Sequence, residues 1–171
     1  MNKRELDKYM TDTARGDEEA FGLLYEHTRR GIYAFVYGYL KNEQDAEDVT
    51  QDVYIRIRRN AWQYKAGTDA RAWMFQIAKN LSLNRLRERK RVISLNEQRE
   101  DAMPVHNLPQ GEVFDVMKRT LDAQEWEIVV LHLLWGYRHR EIGEKLSLPT
   151  GTVTSKYKRA LEKIKRAWEE S

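Results

Sequence analysis

Residues 137–164 read YRHREIGEKLSLPTGTVTSKYKRALEKI, and this stretch decides the fold. Ile142 and Leu146 stand four residues apart, on one side of a short helix. Ser147, Leu148 and Pro149 make a tight turn, and a second helix starts near Thr150 with Val153, Tyr157, Leu161 and Ile164 along one side. Two short helices joined in this way form a helix-turn-helix, whose second helix lies in the major groove of DNA. Gly143 supplies the small residue where the two helices approach closely, and Leu148 plugs the core between them. The outer side of the second helix carries Thr152, Thr154, Ser155, Lys156, Lys158 and Arg159. Hydroxyl and cationic groups in the first half of a recognition helix suit base edges and phosphates, and the helix dipole adds attraction for a phosphate. On charge alone the same residues read equally as a solvated lysine-rich helix; the two-helix pattern favours DNA.

Working outward, three more helical stretches are expected before the second helix of the motif, at roughly 111–120, 123–135 and 138–146, and the last helix at about 150–169. Between Ser94 and Gln110 the periodicity fails among Asn96, Gln98, Asp101, Pro104, Asn107 and Pro109. That segment reads as a linker. Upstream, a helix over about 3–15 stops at Gly16, and Asp17 caps the next one, in which Phe21, Leu24, Tyr25, Ile32, Phe35, Val36 and Tyr39 recur at helical spacing. A third helix from about Gln44 to Asn60 has an apolar side of Ala46, Val49, Val53, Ile57 and Tyr54. Residues 63–68, QYKAGT, form a loop broken by Gly67. Asp69 caps a fourth helix over about 70–91, with Trp73, Ile77, Leu81 and Leu83 or Leu86 as its apolar positions. The fold class is therefore all-α: two small helical domains, residues 1–92 and 111–171, joined by a flexible linker over 93–110, the second containing the helix-turn-helix.

Composition narrows the function classes. The 171 residues are 33% charged and 41% hydrophobic, as in a globular protein, with a net charge of +3. No window reaches the roughly 18 apolar residues of a membrane span, and MNKRELDKYM carries no signal-type apolar stretch, so a cytoplasmic protein without direct membrane insertion is expected. The absence of cysteine excludes disulfides, thiolate metal sites and cysteine nucleophiles. His27, His106, His132 and His139 are scattered, and no metal-binding HExxH pattern, phosphate-binding glycine loop or serine nucleophile motif occurs. Neither catalysis nor a cofactor follows from the sequence. Charge is unevenly placed: Glu43, Asp45, Glu47, Asp48 and Asp52 fall together, whereas Arg85, Arg87, Arg89, Lys90 and Arg91 form one basic stretch and Lys156, Lys158, Arg159, Lys163, Lys165 and Arg166 another. One acidic and two basic faces suggest several partners.

The stretch EIGEKLSLPTGTVTSKYKRALEKIK resembles the C-terminal promoter-binding region of bacterial RNA polymerase sigma factors, most closely the extracytoplasmic-function (ECF) group of the sigma-70 family. Glu141, Ile142, Leu146, Pro149, Gly151, Thr152, Val153, Ser155, Arg159 and Ala160 match the group's pattern. Gly143 replaces its alanine, Lys156 an arginine, and Thr154 a position that is often basic. The first half resembles the polymerase-binding region, with DAEDVTQDVYIRI (45–57) as its most specific part. The resemblance covers roughly residues 15–168. It implies that Asp45, Glu47, Asp48, Gln51, Asp52 and Arg56 bind core RNA polymerase at a coiled coil of the β′ subunit, with the β flap as a second contact. Charge and amide groups on such a face give steering and register, although charge alone reads as a solvated acidic helix.

DARAWMFQIAKNLSLNRLRERKR (69–91) resembles the element that reads and melts the promoter −10 region, with Phe75 in place of tyrosine and Asn84 in place of aspartate. Gln76, Asn80 and Asn84 share one helical side, where amides can bond base edges, while Lys79, Arg85 and Arg87 (with Arg89) hold phosphates. Tyr64 and Lys65, in the preceding loop, would line a pocket for an unstacked base. Trp73 belongs to the same set, or to the core. Thr152, Thr154, Ser155, Lys156, Lys158 and Arg159 would read the −35 duplex. Promoter DNA, core polymerase and an anti-sigma factor are the partners the resemblance implies. The competing reading is a stand-alone helix-turn-helix regulator, which would not bind core polymerase.

Overall fold

The computed structural model describes residues 2–93 and 112–170. The chain divides into two compact units, Met1–His106 and Asn107–Ser171. All regular structure among the described residues is helical. The linker expected over 93–110 lies, apart from Ile93, outside the described residues.

The first unit contains α1 (Lys3–Ala14), α2 (Glu18–Leu40), α3 (Glu43–Asn60), a 3-10 turn (Ala61–Gln63) and α4 (Ala70–Ile93). Short polar side chains set the starts. The Asp17 carboxylate accepts from Ala20 N at 3.0 Å, Asn42 Oδ1 from Asp45 N at 2.9 Å, and Asp69 Oδ1 from Arg71 N at 3.0 Å and Ala72 N at 3.2 Å. In α2 every residue from Gly31 to Tyr37 is buried, so this helix runs through the middle of the unit. From α3 come Ala46, Val49, Val53, Tyr54 and Ile57, the face expected from their spacing. Each fully buried aliphatic side chain of this kind contributes about 1.5–3 kcal/mol of transfer free energy.

The core stripe of α4 differs from the expected one. Ala70, Met74, Phe75, Ala78 and Ser82 are buried, while Trp73, Ile77 and Leu81 are only half-buried. Ala78 and Ser82 are small enough for a close approach of helices, and the Ser82 hydroxyl is satisfied by donating to Ala78 O at 2.8 Å.

The second unit contains α5 (Glu112–Thr120), α6 (Ala123–Val129), a π-helical turn (Val130–Leu134), α7 (His139–Leu146) and α8 (Thr150–Glu169). Its core gathers Val116, Met117, Trp126, Ile128, Val130, Tyr137, Ile142, Val153 and Ala160. The single helix expected over about 123–135 is thus an α-helix that widens in its last turn, closed by Tyr137 N donating to Leu131 O at 3.0 Å. Asp122 and Glu125 form a capping box, with bonds of 2.8 and 3.1 Å. Glu125 is 3% exposed and holds Lys163 of α8 through both carboxylate oxygens, at 2.7 and 2.8 Å.

Between α7 and α8 the turn is tight. Ser147 takes a left-handed backbone (φ 55), and Leu148 N donates to Gly143 O at 2.9 Å. A β-carbon at Gly143 would stand 2.6 Å from Leu148 O, so this position has no room for a side chain without a backbone shift. Leu148 is half-buried beneath the turn. On α8 the buried positions are Val153 and Ala160, whereas Leu161, expected in the core, is exposed.

Candidate nucleic-acid and polymerase interfaces

On α3 the residues proposed for a protein partner do not share one fate. Gln51, Asp52 and Arg56 are exposed, and Glu47 and Asp48 are half-buried on the same helix. Partial burial, together with the charges of Asp48 and Glu43, holds the Glu47 carboxyl above its ordinary range. Asp45 is turned toward α4 instead. It is 17% exposed and accepts from Arg85 at 3.0 Å and Arg89 at 3.1 Å, while Arg89 also reaches Leu40 O at 3.3 Å. Arg85 further faces Asp48 at 3.9 Å and Glu88 at 3.8 Å. Asp45 and Arg85, assigned to two different partners in the sequence, meet each other across the α3–α4 seam.

Beside that seam lies a cleft of about 370 Å³, lined by Arg56, Asn60, Gln63, Trp73, Ile77, Asn80, Leu81 and Asn84. It brings together Trp73, Asn80 and Asn84, three of the residues expected at −10, and adds Arg56 from the group expected at the polymerase. Its amides are pre-oriented: Gln76 donates to Asn80 Oδ1 at 2.9 Å and Arg87 to Asn84 Oδ1 at 3.1 Å. Lys79 is exposed on the same helix. Half-buried Trp73 gives the cleft an aromatic wall, so the surface offers both a stacking face and donors and acceptors to a single planar ring. Asn60 was not anticipated from sequence, and Gln63 only as the first residue of the 63–68 loop; they follow Arg56 by four and seven residues, the spacing that places all three on one side. Between them Trp62 is 72% exposed.

Tyr64 and Lys65 part company. Lys65 is exposed, but the Tyr64 ring is buried edge-on to Trp73 at 5.8 Å, and its hydroxyl donates to Asp7. Burial pushes the Tyr64 hydroxyl up to about 12, and the bond to Asp7 acts in the same direction.

On α8, Ser155, Lys158 and Arg159 are exposed and Thr152 and Lys156 half-buried. Pro149 precedes the helix without any side-chain cap, which leaves first-turn amides of α8 available to an anion. Thr154 is tied back: its hydroxyl donates to Thr150 O at 3.0 Å and so accepts from His139 Nδ1 at 3.0 Å. His139 packs with His132 and Tyr157 at ring distances of 4.7 and 5.0 Å, and burial, then the charge of His132, lower its basicity. His132 Nδ1 donates in turn to Tyr137 O at 2.8 Å. Sequence reasoning found no use for these histidines; they pack against Thr154 and Tyr157 of α8. Among the described residues no helix is long and apolar enough to cross a membrane.

Comparison with known proteins bears on both units. Residues 24–92 match the family described as Sigma-70 region 2, and residues 119–166 match Sigma-70, region 4. The chain is 27% identical over 174 residues to the ECF RNA polymerase sigma factor SigK of Mycobacterium sp. (strain KMS), covering 94% of this chain and 89% of that protein. It is 24% identical to the ECF RNA polymerase sigma factor SigW of Bacillus subtilis (strain 168), covering 94% and 95%. In fold it is similar to RpoE from Bartonella quintana, solved with the anti-sigma factor NepR (TM-score 0.63, 19% identity, 87% of this chain and 96% of that one). It is also similar to CnrH, solved with the cytosolic domain of CnrY (TM-score 0.59, 21% identity, 98% and 99%).

Proposed function

The chain belongs to the sigma-70 family of RNA polymerase sigma factors, in its ECF group, and from that premise we propose how its residues direct polymerase to a promoter. The observation that carries the reading is the order of the two matched regions, each on its own compact unit, with the amide-lined cleft on the first and an uncapped basic helix on the second. Residues 1–92 act as the polymerase-binding and −10 unit and residues 111–171 as the −35 unit.

Asp48, Gln51 and Asp52, with Glu47 beside them, dock on the β′ coiled coil. Exposed carboxylates there steer a basic partner and set its register. Asp45 contributes by holding Arg85 and Arg89 in place. The −35 duplex meets α8 through Thr152, Ser155, Lys156, Lys158 and Arg159, with Thr154 held in position by His139. At −10 the cleft receives one unpaired base of the non-template strand between Trp73 and the amides of Asn80 and Asn84. Extracting a base from the stack costs a few kcal/mol, which stacking and edge hydrogen bonds offset. Lys65, Lys79 and Arg87 hold the neighbouring phosphates. Tethering the two units makes the second contact intramolecular once the first has formed. No step of bond chemistry falls to this chain; polymerase supplies it.

Two further elements complete the proposal. The chain works in the cytoplasm, where core polymerase is, and an anti-sigma protein restrains it; the similar RpoE was solved in complex with the anti-sigma factor NepR, and CnrH with the cytosolic domain of CnrY.

Run-off transcription with purified core RNA polymerase on genomic fragments tests the reading. Discrete new starts sharing two upstream elements are expected when the protein is added. No new starts, together with no retention on immobilised core polymerase, would overturn it in favour of a stand-alone regulator.

A further inference from the structure

The loop that leads into α4 is fastened by a residue that lies outside both matched regions. Asp7 sits on α1, upstream of residues 24–92, and is half-buried. One of its oxygens, Oδ1, accepts from the Tyr64 hydroxyl and, at 2.8 Å, from the backbone N–H of Gly67. Gly67 is in left-handed backbone (φ 80), so the chain reverses where the carboxylate grips it. The Thr68 hydroxyl closes the loop by donating to Lys65 O at 2.6 Å. Asp7 itself is immobilised, because Leu6 and Met10 on the same helix are buried.

The consequence reaches the cleft by a short path. Tyr64, held by Asp7, packs edge-on against Trp73, which lines the cleft, and Gln63, its neighbour in sequence, lines the cleft as well. The carboxylate touches none of the cleft residues by any recorded bond; it sets the loop and the ring that set them. Buried and bonded to an acceptor, the Tyr64 hydroxyl remains a protonated donor throughout the working pH range.

We infer that Asp7 is a positioning residue for −10 base recognition, fixing the 64–68 loop and, through Tyr64, the Trp73 wall of the cleft. The inference rests on the promoter-reading role proposed above. A carboxylate is suited to the task because one oxygen accepts two hydrogen bonds from two points of a turn, and charge-assisted bonds are stronger than neutral ones.

The test uses the full chain with core polymerase. Its templates are the strongest promoter recovered by start-site mapping and the same duplex carrying single-base substitutions through the −10 and −35 elements. Asp7→Ala is expected to lower discrimination against wrong bases by roughly tenfold at one or two −10 positions, about 1.4 kcal/mol, and to leave −35 discrimination unchanged. Tyr64→Phe should show part of the same loss, and the double variant no more than Asp7→Ala alone. Amide exchange at Gly67 should quicken in Asp7→Ala. A uniform fall on every template, with discrimination unchanged, would reduce Asp7 to a stabilising residue and overturn the inference. Unchanged exchange at Gly67 would overturn it too. If Asp7→Ala fails to fold, Tyr64→Phe carries the discrimination test alone, with the same two outcomes. Failure of the wild-type protein to start transcription at all would instead sink the sigma-factor role, and the inference with it.

Discussion

The two basic helices proposed to face DNA, α4 and α8, hold their charge differently. On α4 three arginines are already engaged, Arg85 and Arg89 gripping Asp45 and Arg87 donating to Asn84, while Lys79 is exposed; on α8 Lys163 is held by Glu125. On α8, Lys158 and Arg159 are exposed, and among the described residues neither has an ion-pair partner. Free cations give long-range, sequence-blind attraction that salt weakens steeply. Cations held in ion pairs give less attraction, but they fix the helix that presents the amides and the tryptophan. On the proposed roles, the second unit would reach duplex DNA mainly by charge, while the first would read a single strand by shape and hydrogen bonding.

Several substitutions and one change of pH would break or sharpen this contrast. The largest effect is expected from Glu125→Ala, which removes the buried partner of Lys163 and half of the α6 capping box. Loss of about 2–3 kcal/mol from the second unit should appear in urea unfolding, somewhat under the range for a fully buried pair because Lys163 can turn to solvent. Asp45→Ala should cost the first unit about 2 kcal/mol, as expected for charge-assisted hydrogen bonds. It should also steepen the salt dependence of non-specific DNA binding by freeing Arg85 and Arg89; an unchanged salt slope would contradict the engaged-cation picture.

On α8, Arg159→Ala should weaken −35 duplex binding by about tenfold. Lys158→Ala should weaken it less, equally on all sequences, and flatten the plot of log affinity against log salt by about one unit. Fluorescence anisotropy at several salt concentrations reads both. The smallest effect concerns pH. His139 is held below the ordinary histidine range, so between that range and its folded value the unfolded chain binds the proton more readily. The second unit should therefore lose stability as pH falls through about 6.5. Thermal melts at pH 7.5 and 5.5 should show the drop, and His139→Phe should reduce it.

What the sequence made legible follows the range of the interactions. The helix-turn-helix was readable because its signals are local: Ile142, Pro149 and Val153 fall within a dozen residues. The core face of α3 was readable because Val49, Val53, Tyr54 and Ile57 fall at helical spacing on one buried side, with Ile55 the exposed exception. On α4 that logic failed, since Trp73, Ile77 and Leu81 form an equally regular stripe that lines a cleft instead of a core. The buried stripe there is marked by small residues, Ala78 and Ser82, whose hydropathy says little. The same holds for Ala160 over Leu161 on α8. Asp45 was assigned to polymerase with its acidic neighbours because the 45–57 stretch resembles the polymerase-binding region; the arginines it binds lie forty and forty-four residues later in the chain, beyond any local pattern. Nor could spacing reveal Asp7, whose partners stand 57 and 60 residues away.

The close approach at Gly143 has a consequence for how a promoter preference can drift. Leu148 O stands 2.6 Å from where a β-carbon would go, so any side chain at 143 requires the backbone of the turn between α7 and α8 to shift. On the proposed −35 role of α8, such a shift would re-aim Ser155 and Arg159 without either residue being altered. One missing carbon atom thereby acts as the set-screw of the helix proposed to read the −35 duplex.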